Sequence, residues 1–432
     1  MFDLVRKFLT TAEGGATAFG LFFIGAGLLI SSYAVDVSNL QAQMTLLQAT
    51  ADAAAHDALV TRELESTKDA TAAAVLRASA MMPKTIYGTV LKPEDIVFGT
   101  WNSTKRRFSP DPKSRSAVSV TVHRTAENGN SVPTYLMKLA GIKQWDIVLN
   151  ATFATYQPPC LREGFVAEDV VDVQSNNSYH NLFCIHSNTY VSVNSNNVFD
   201  PGTVVSMPDL ARFQLPNSGY NSNAGLSAAL QAQYIDIRVL RRIKRIIAGV
   251  SDPSSPYYPP FLTNPDPVMI SQSRIGAGDL VSGHIYRWSC NSGSGGTIDA
   301  GTLLSGVVII ADCDVKLGNG AAMEDAILVT TSTSSTSIDS PSGFRLGRND
   351  HCVKGGGGRI VSMGGMHFAA GLEIYGSQLL AMGNVSFAAR ADGMEGASII
   401  SNGKISGTSN MSMSYCNSGM DEFTAGYFQM VQ

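Results

Sequence analysis

The stretch GATAFGLFFIGAGLLISSYA, Gly15–Ala34, decides the fold because it contains no charged residue. It has about the 20 residues that one helix needs to cross the hydrocarbon core of a bilayer. Arg6 and Lys7 precede it, and Asp36 marks the return to water. The positive-inside rule therefore predicts a single-pass membrane helix with a cytoplasmic N-terminus, and residues 1–35 form the first predicted region.

A cleaved signal peptide is the alternative interpretation of the same stretch. Ser32 and Ala34 fit the small-residue rule for a cleavage site. The apolar run is long for such a peptide, however, and the helical pattern does not stop at Ala34. We therefore expect an anchor that stays attached to the rest of the chain.

The helical pattern continues beyond the membrane as a predicted stalk over residues 36–83. Apolar positions recur in steps of three and four residues, at Val37, Leu40, Met44, Leu47, Ala51, Ala54 and Ala58. Such a seam is typical of a helix that packs on a partner, and its alanines allow another helix or a sheet to come close. Pro83 ends the pattern. Beyond Leu64, one unbroken helix and several shorter helices both fit.

Three segments of this region, EGGATAF, LISSYAVD and LLQATADAAAHDALV, together resemble the N-terminal part of the TadE/TadG-like Flp (tight adherence) pilus-assembly family. The matching residues are Glu13, Gly14, Gly15, Asp36, Leu47, Gln48, Ala49, Ala51, Asp52, Ala53, Ala54 and Ala55. The resemblance implies a single-pass protein of the bacterial inner membrane with its bulk in the periplasm. It also implies a structural role as an accessory or minor pilin-like component, with a tip adhesin as one variant of that role. The alternative function is a cell-surface adhesin that binds glycans through a β-helix and is unrelated to pili.

The resemblance further implies which residues act in assembly and which partners they meet. Glu13, Gly14 and Gly15 open the membrane helix, and Asp36 closes it. Their partners would be the inner membrane, other pilus-assembly proteins and pilin-like subunits, with a glycan or surface ligand for the C-terminal domain. A neighbouring N-terminus or basic group would neutralise Glu13; the alternative is that Glu13 lies at the headgroup level.

Composition favours an exported, β-rich protein over a cytosolic enzyme. The 432 residues carry a net charge of -4, only 15% are charged, and 41 are glycine. A slightly acidic chain is not expected to bind nucleic acid. No Gly-rich phosphate loop, GxSxG elbow or HExxH helix occurs in the sequence, so we expect no cofactor and no enzymatic activity.

All six cysteines follow the membrane helix, at Cys160, Cys184, Cys290, Cys313, Cys352 and Cys416. An even number in an oxidising compartment predicts three disulfides. Six cysteines allow 15 pairings, and their order in the sequence suggests first with second, third with fourth and fifth with sixth.

Two kinds of chemical site compete with this structural reading. His180, Cys184 and His186 have a spacing that could place metal ligands on a short strand and turn, but they lack a CxxC partner. A polysaccharide-acting enzyme would need clustered carboxylates. The nearest cluster is Arg348-Asn349-Asp350-His351, while Asp339 and Glu395 stand apart from it. We interpret Asp350 and His351 as a turn closed near the Cys352 disulfide.

Residues 84–158 are predicted to form a small β-rich, pilin-like unit, because Ala117–His123 alternates apolar and polar residues. Residues 159–268 form a mixed region with an amphipathic helix at 225–248. That helix has an apolar stripe at Ile235, Val239, Ile243, Ile246 and Val250, and could cap one end of the next domain.

An internal repeat occupies residues 269–432. IIADCDVKL (Ile309–Leu317), IVSMGGMHF (Ile360–Phe368), LLAMGNVSF (Leu379–Phe387) and IISNGKISG (Ile399–Gly407) align, and the last three begin 19 and 20 residues apart. A further copy starts at Ile327, and Phe344-Arg345-Leu346 marks another candidate rung. A period near 20 residues with short strands predicts a parallel β-helix, with a β-sandwich as the alternative. The whole chain is therefore predicted to be α+β.

Overall fold

The computed structural model describes residues 13–290, 295–416, 419–420 and 422–432, with side chains from Thr17 onward. Arg6 and Lys7 thus lie outside the described residues. The chain divides into an N-terminal unit, Met1–Tyr156 with Gly426–Gln432, and a solenoid unit, Gln157–Ala425.

Two helices open the N-terminal unit. Helix α1 spans Glu13–Arg62, and helix α2 spans Thr67–Met81. The structure thus selects the divided stalk over one unbroken helix. The hydroxyl of Ser66 caps α2 by accepting a hydrogen bond from the Asp69 N–H at 3.2 Å, which satisfies one of the free donors at a helix start.

The predicted alanine seam is buried where α1 meets α2 and the sheet. One hydrophobic core contains Leu47, Ala51, Ala54 and Ala58 of α1 together with Ala70, Ala74 and Ala78 of α2. Met44, earlier in the seam, remains 39% exposed. The seam is therefore fully buried from Leu47 onward, and its alanines let the two helices approach closely.

Replacing Ala74 by leucine is expected to destabilise the N-terminal unit by about 1–3 kcal/mol, because the added atoms have no space between the helices. Ala72 lies on the exposed face of the same helix, so A72L is the matched control. Urea unfolding of the full-length protein in detergent measures both. Equal midpoints for the two variants would contradict the close packing.

Five antiparallel strands form the sheet of this unit. In spatial order they are Arg107–Pro110, Ile96–Asn102, Ala117–Arg124, Ile147–Tyr156 and Tyr427–Met430. Val118, Val120 and Val122 are fully buried, as the alternation predicts. The shorter elements of the unit are the helix Lys84–Tyr87, the 3₁₀ helices Pro93–Asp95 and Met137–Ala140, and the strand pair Val132–Pro133 and Gln144–Trp145.

The solenoid unit is inserted between two neighbouring strands of this sheet. Tyr156, at the end of one strand, pairs with Tyr427, at the start of the next. The last strand of the chain therefore belongs to the N-terminal sheet, although the sequence pattern placed residues 269–432 in one repeat domain.

A parallel β-solenoid of about 12 turns follows. A complete turn contributes three short strands, one to each side. The 24 strands are Gly164–Ala167, Val171–Val173, Ser178–Tyr179, Cys184–Ser187, Val191–Val193, Val198–Phe199, Val204–Met207, Leu230–Ala232, Val268–Ile270, Arg274–Ile275, Ile285–Trp288, Gly296–Ile298, Leu303–Ser305, Val308–Ala311, Val315–Leu317, Ala322–Glu324, Ala326–Thr330, Ile338–Ser340, Arg345–Leu346, Gly358–Ser362, Met366–Ala381, Val385–Ser401, Ile405–Ser406 and Ser412–Ser414.

The predicted repeat is confirmed by the pairing of these strands. Ile360 pairs with Leu379, and Leu379 pairs with Ile399, all in parallel. Ile309 pairs with Leu328, so the copy proposed to start at Ile327 is shifted by one residue. Residues 345–346 form the third side of a turn instead of a separate rung. Parallel pairing throughout the described solenoid strands rules out the alternative of an antiparallel β-sandwich.

The turns do not stack in the order of the sequence. Gly164–Ala167, the first solenoid strand, pairs on one side with Cys184–Ser187 and on the other with the end of Val385–Ser401. A first winding, residues 164–232, thus leads away from this junction, and a second winding, residues 268–416, returns to it. The solenoid therefore begins at residue 164, whereas the sequence pattern placed its start at 269.

Residues 233–267 connect the two windings by running along the stack. The Ile235 N–H binds Asn188 in the first winding at 3.2 Å, and the Thr263 N–H binds Gly283 in the second winding at 3.0 Å. The single helix predicted at 225–248 is wrong. The segment contains the short helices Leu226–Ala229, Arg238–Arg241 and Ile243–Gly249 instead.

The segment does not form one continuous helix because part of it pairs as a strand of the solenoid. Leu230–Ala232 completes a rung by pairing with Val205–Met207, and these sheet hydrogen bonds override the helical propensity of the segment. The predicted apolar stripe is nevertheless buried, with no member more than 4% exposed: Ile235, Val239, Ile243, Ile246 and Val250.

Candidate functional site

The start of α1 presents an apolar surface that the described protein leaves uncovered. Eight large side chains are between 63 and 73% exposed: Phe19, Leu21, Phe22, Phe23, Ile24, Leu28, Leu29 and Ile30. The most apolar 18-residue window within Thr17–Arg62 has a mean hydropathy of 1.9, and none of that window is buried. A continuous apolar surface of this length fits the interior of a bilayer, so the protein is membrane-anchored.

The residues assigned to assembly fall in two places on this helix. Glu13, Gly14 and Gly15 are helical, at the first turn of α1, and the side chain of Glu13 lies outside the described residues. Their part in assembly remains a prediction. Asp36 lies at the other end of the apolar run.

Asp36 is fully buried although it was expected to mark the return to water. Its carboxylate accepts the backbone N–H groups of Tyr135, Leu136 and Met137 at 2.6, 2.9 and 2.5 Å. The 3₁₀ helix Met137–Ala140 has no capping side chain of its own, so Asp36 satisfies the free donors at its start. Several N–H bonds to one carboxylate favour its ionised form.

A second polar contact joins α1 to the end of the strand Ala117–Arg124 and to the turn that follows it. Arg124 is buried, donates to the Gln43 side chain of α1 at 2.6 Å and to the Asn130 carbonyl at 3.0 Å, and lies 5.5 Å from the Tyr87 ring. Burial lowers the pKa of Arg124, which the charge of Tyr87 opposes. Arginine stays protonated even after such a shift. This contact was not predicted from the sequence.

The cysteines form three disulfides within the solenoid unit. Cys160 is bonded to Cys184, Cys290 to Cys313 and Cys352 to Cys416, with Cα–Cα distances of 4.9, 5.9 and 5.9 Å. These are the pairs that the order of the cysteines suggests. Two carboxylates, Asp312 and Glu395, lie near disulfide sulfurs. Bonded sulfurs lack the thiolate that a metal requires.

Removing the disulfide Cys352–Cys416 is expected to destabilise the solenoid more than removing Cys290–Cys313. They close segments with sequence separations of 64 and 23 residues, and the longer loop loses more entropy in the unfolded chain. The difference is about 1 kcal/mol in the chain-entropy model. Urea unfolding of the two double cysteine-to-serine variants measures it, and a reversed order would contradict the expectation.

The proposed metal ligands have other partners in the structure. Cys184 is a disulfide cysteine. His186 is fully buried and binds the Ser206 hydroxyl at 2.7 Å and the Asn188 side chain at 2.9 Å. Burial lowers the pKa of His186, against the effect of Asn188, so a neutral imidazole links neighbouring turns. His180 binds Asp200 at 2.8 Å, and these three residues form no ligand set.

The residues weighed for an enzyme site form a tight turn. The carboxylate of Asp350 accepts the Val353 N–H at 3.1 Å and lies 3.4 Å from Arg348. His351 and Cys352 both have a φ of 57°, as a turn requires. Glu395 lies 3.2 Å from His351, and Asp339 lies 3.0 Å from His367. These carboxylates are therefore held by neighbouring donors and cations of the solenoid surface.

A ladder of buried asparagines was missed at the sequence level. The Asn177 N–H donates to the Asn197 side chain at 2.9 Å, and the Asn197 N–H donates to Asn223 at 3.0 Å. Asn177 in turn accepts the Met411 N–H at 2.9 Å, across the junction of the two windings. The signal was present, since VDVQSNN at 171–177 and VSVNSNN at 191–197 repeat after 20 residues.

An apolar helix long enough to span a membrane, a small α/β unit and an inserted β-solenoid define a membrane-anchored β-solenoid protein. Residues 164–417, more than half of the chain, match the family model described as domain of unknown function (DUF7867), and the chain belongs to that family. Residues 53–152 match the model of a Tad-like Flp pilus-assembly domain. This second match covers about a quarter of the chain, is consistent with a Tad-family pilus-assembly protein and supports a role in pilus assembly. No curated protein and no solved structure matched the chain.

Proposed function

We propose that this protein is a TadG-like accessory or minor pilin-like component of a tight-adherence pilus, acting as a structural subunit. The observation that carries the proposal is the match over residues 53–152, which covers the later part of the stalk and most of the sheet in the unit that the uncovered apolar helix begins. Lateral packing of that helix against other pilin-like helices would place the subunit in the assembly. Glu13 then meets a basic group or N-terminus of a neighbour.

The proposed orientation puts the N-terminus in the cytoplasm and the solenoid in the periplasm or on the pilus. Arg6 and Lys7 before the apolar run support it through the positive-inside rule. The three disulfides support it as well, because disulfides persist in oxidising compartments.

Fractionation of cells and sheared pili tests the role. An antibody to the solenoid locates the protein, and mass spectrometry shows whether residues 1–34 remain. Full-length protein in sheared pili is expected for a pilus subunit, and full-length protein confined to the inner membrane is expected for an assembly factor. Soluble protein that lacks residues 1–34 would contradict both.

A positive charge placed in the apolar helix tests whether pilus assembly needs the membrane anchor. F23R places a cation in the middle of the membrane segment, where it is strongly unfavourable, and is expected to abolish membrane retention and pilus assembly. Leu76, 73% exposed on α2, is the control position, and L76R is expected to leave both unchanged. Normal pili with F23R would refute the proposal.

A tip adhesin is the second candidate, supported by a polar cleft on the first winding. Asp172, Gln174, Ser192, Asn194 and Gln214 line a cleft of about 210 Å³ across stacked turns. Amide and carboxylate groups of this kind hydrogen-bond sugar hydroxyls. Binding of the full-length protein to a glycan array, lost in Q174A/N194A but retained in an equally stable variant elsewhere, is the expected result. Unchanged binding would remove the cleft from consideration.

A further inference from the structure

One loop of the N-terminal unit exposes large apolar side chains close to the end of the membrane segment. Within residues 134–143, hereafter the interfacial loop, four side chains are 40–86% exposed: Tyr135, Leu136, Leu139 and Ile142. Leu139, at 86%, is the most exposed large apolar residue in the described part of the chain. Clustered apolar exposure of this kind marks a contact surface.

Asp36 fixes the position of the interfacial loop relative to the bilayer. Its carboxylate binds the N–H groups of Tyr135 and Met137 at 2.6 and 2.5 Å. Asp36 follows Ala34, the last residue of the apolar run, by two positions, or about 3 Å along the helix. When the apolar run fills the hydrocarbon core, the loop backbone therefore lies at the depth of the lipid headgroups.

The loop is folded before it meets any partner. Val132 pairs with Trp145 at its base, and the Thr134 N–H donates to the Lys143 carbonyl at 3.1 Å. The Thr134 hydroxyl also donates to the Ile142 carbonyl, at 2.5 Å. A preformed loop loses little conformational freedom on binding, so its apolar tip contributes almost fully to association.

The charges of the loop match a phospholipid surface. Lys138 and Lys143 are exposed, and no acidic residue occurs from Val132 to Trp145. Lysines reach phosphates from apolar positions, and tyrosine and tryptophan favour the membrane–water interface. We propose that the interfacial loop inserts Leu139 and its apolar neighbours into the bilayer that α1 crosses, as a second membrane contact that fixes the tilt of the stalk.

A partner protein would also cover apolar side chains, but the lipid is already present at this depth without any further component. The inference rests on the membrane anchor and is independent of the role in pilus assembly. It predicts that the purified protein, alone in a bilayer, buries Leu139.

Site-directed spin labelling of the full-length protein in nanodiscs tests this directly. All six cysteines are in disulfides, so L139C introduces a single reactive thiol at an exposed, fold-tolerant position. The bilayer contains phosphatidylethanolamine and phosphatidylglycerol. L76C, on α2 where Leu76 is 73% exposed, is the matched control for a label in water.

We expect the label at L139C to collide with oxygen dissolved in lipid and to be shielded on the order of tenfold from an aqueous nickel chelate, relative to L76C. Equal nickel accessibility at the two positions would overturn the proposal. Shielding that appears only after other pilus-assembly proteins are added would also overturn it and would identify a protein interface. Loss of the anchor itself would show separately, as failure of the protein to enter nanodiscs.

Discussion

Replacing Phe165 by alanine is expected to destabilise the solenoid by about 3–5 kcal/mol, the usual range for a fully buried phenylalanine. Phe165 lies at the junction of the two windings, where it pairs with Ile185 on one side and with Ile399 on the other. Its ring is 5.1 Å from Phe183 and 5.4 Å from Phe387. A cavity at Phe165 weakens the contact between the first turn of the first winding and the last turns of the second winding, which are far apart in the sequence.

The control for this variant is Phe368, which is equally buried and stacks on Phe344 at 5.9 Å within the second winding. F368A should lower the unfolding free energy by a similar amount in one cooperative transition. F165A should separate the unfolding of the two windings, because stacked repeats are coupled through their nearest neighbours. Urea unfolding followed by circular dichroism distinguishes them. A single transition in F165A would show that the coupling between the two windings does not depend on Phe165.

The sequence predicted the parts of the fold that rest on local periodicity. The charge-free run at Gly15–Ala34 indicated the anchor, and the 19- and 20-residue spacing from Ile360 to Ile399 indicated the parallel solenoid. Both patterns reflect a rule that acts on each turn separately: apolar side chains must face lipid or the solenoid interior.

The order of the turns could not be predicted from such patterns. The pairing of Phe165 with Ile399 joins residues that lie far apart in the chain, and periodicity is the same whichever turns are adjacent. The single helix predicted at 225–248 was wrong for a related reason. Its apolar stripe is real and buried, but Leu230–Ala232 pairs as a strand, which depends on a neighbouring rung.

The site was predicted only in outline for the same physical reason. Asp36 was recognised, but as a charge returning to water, because the sequence does not show that a loop a hundred residues later brings three N–H groups to it. Tertiary hydrogen bonds of this kind leave no local pattern. The exposure of Leu139 likewise leaves no pattern in the residues around it.

Replacing Asp36 by alanine is expected to free the interfacial loop, with a loss of about 3 kcal/mol in local stability. Three backbone N–H groups lose a charged acceptor, and hydrogen bonds to charged groups are the strong ones. Amide hydrogen exchange of peptides covering residues 134–143, in the full-length protein in nanodiscs, should accelerate on the order of 100-fold. D36N keeps one acceptor oxygen, so its exchange rate in residues 134–143 should lie between those of the wild-type protein and D36A.

Asp52, on the same helix, is the matched control, because its carboxylate accepts the side-chain amide of Gln48 at 2.8 Å and no backbone N–H of the described residues. D52A should leave exchange in residues 134–143 unchanged. If D36A behaves like D52A, the carboxylate does not hold the loop. If D36A accelerates exchange and also lowers piliation while the protein stays in the membrane, the role of Asp36 lies in fixing the loop at the bilayer surface, because the anchor itself is intact.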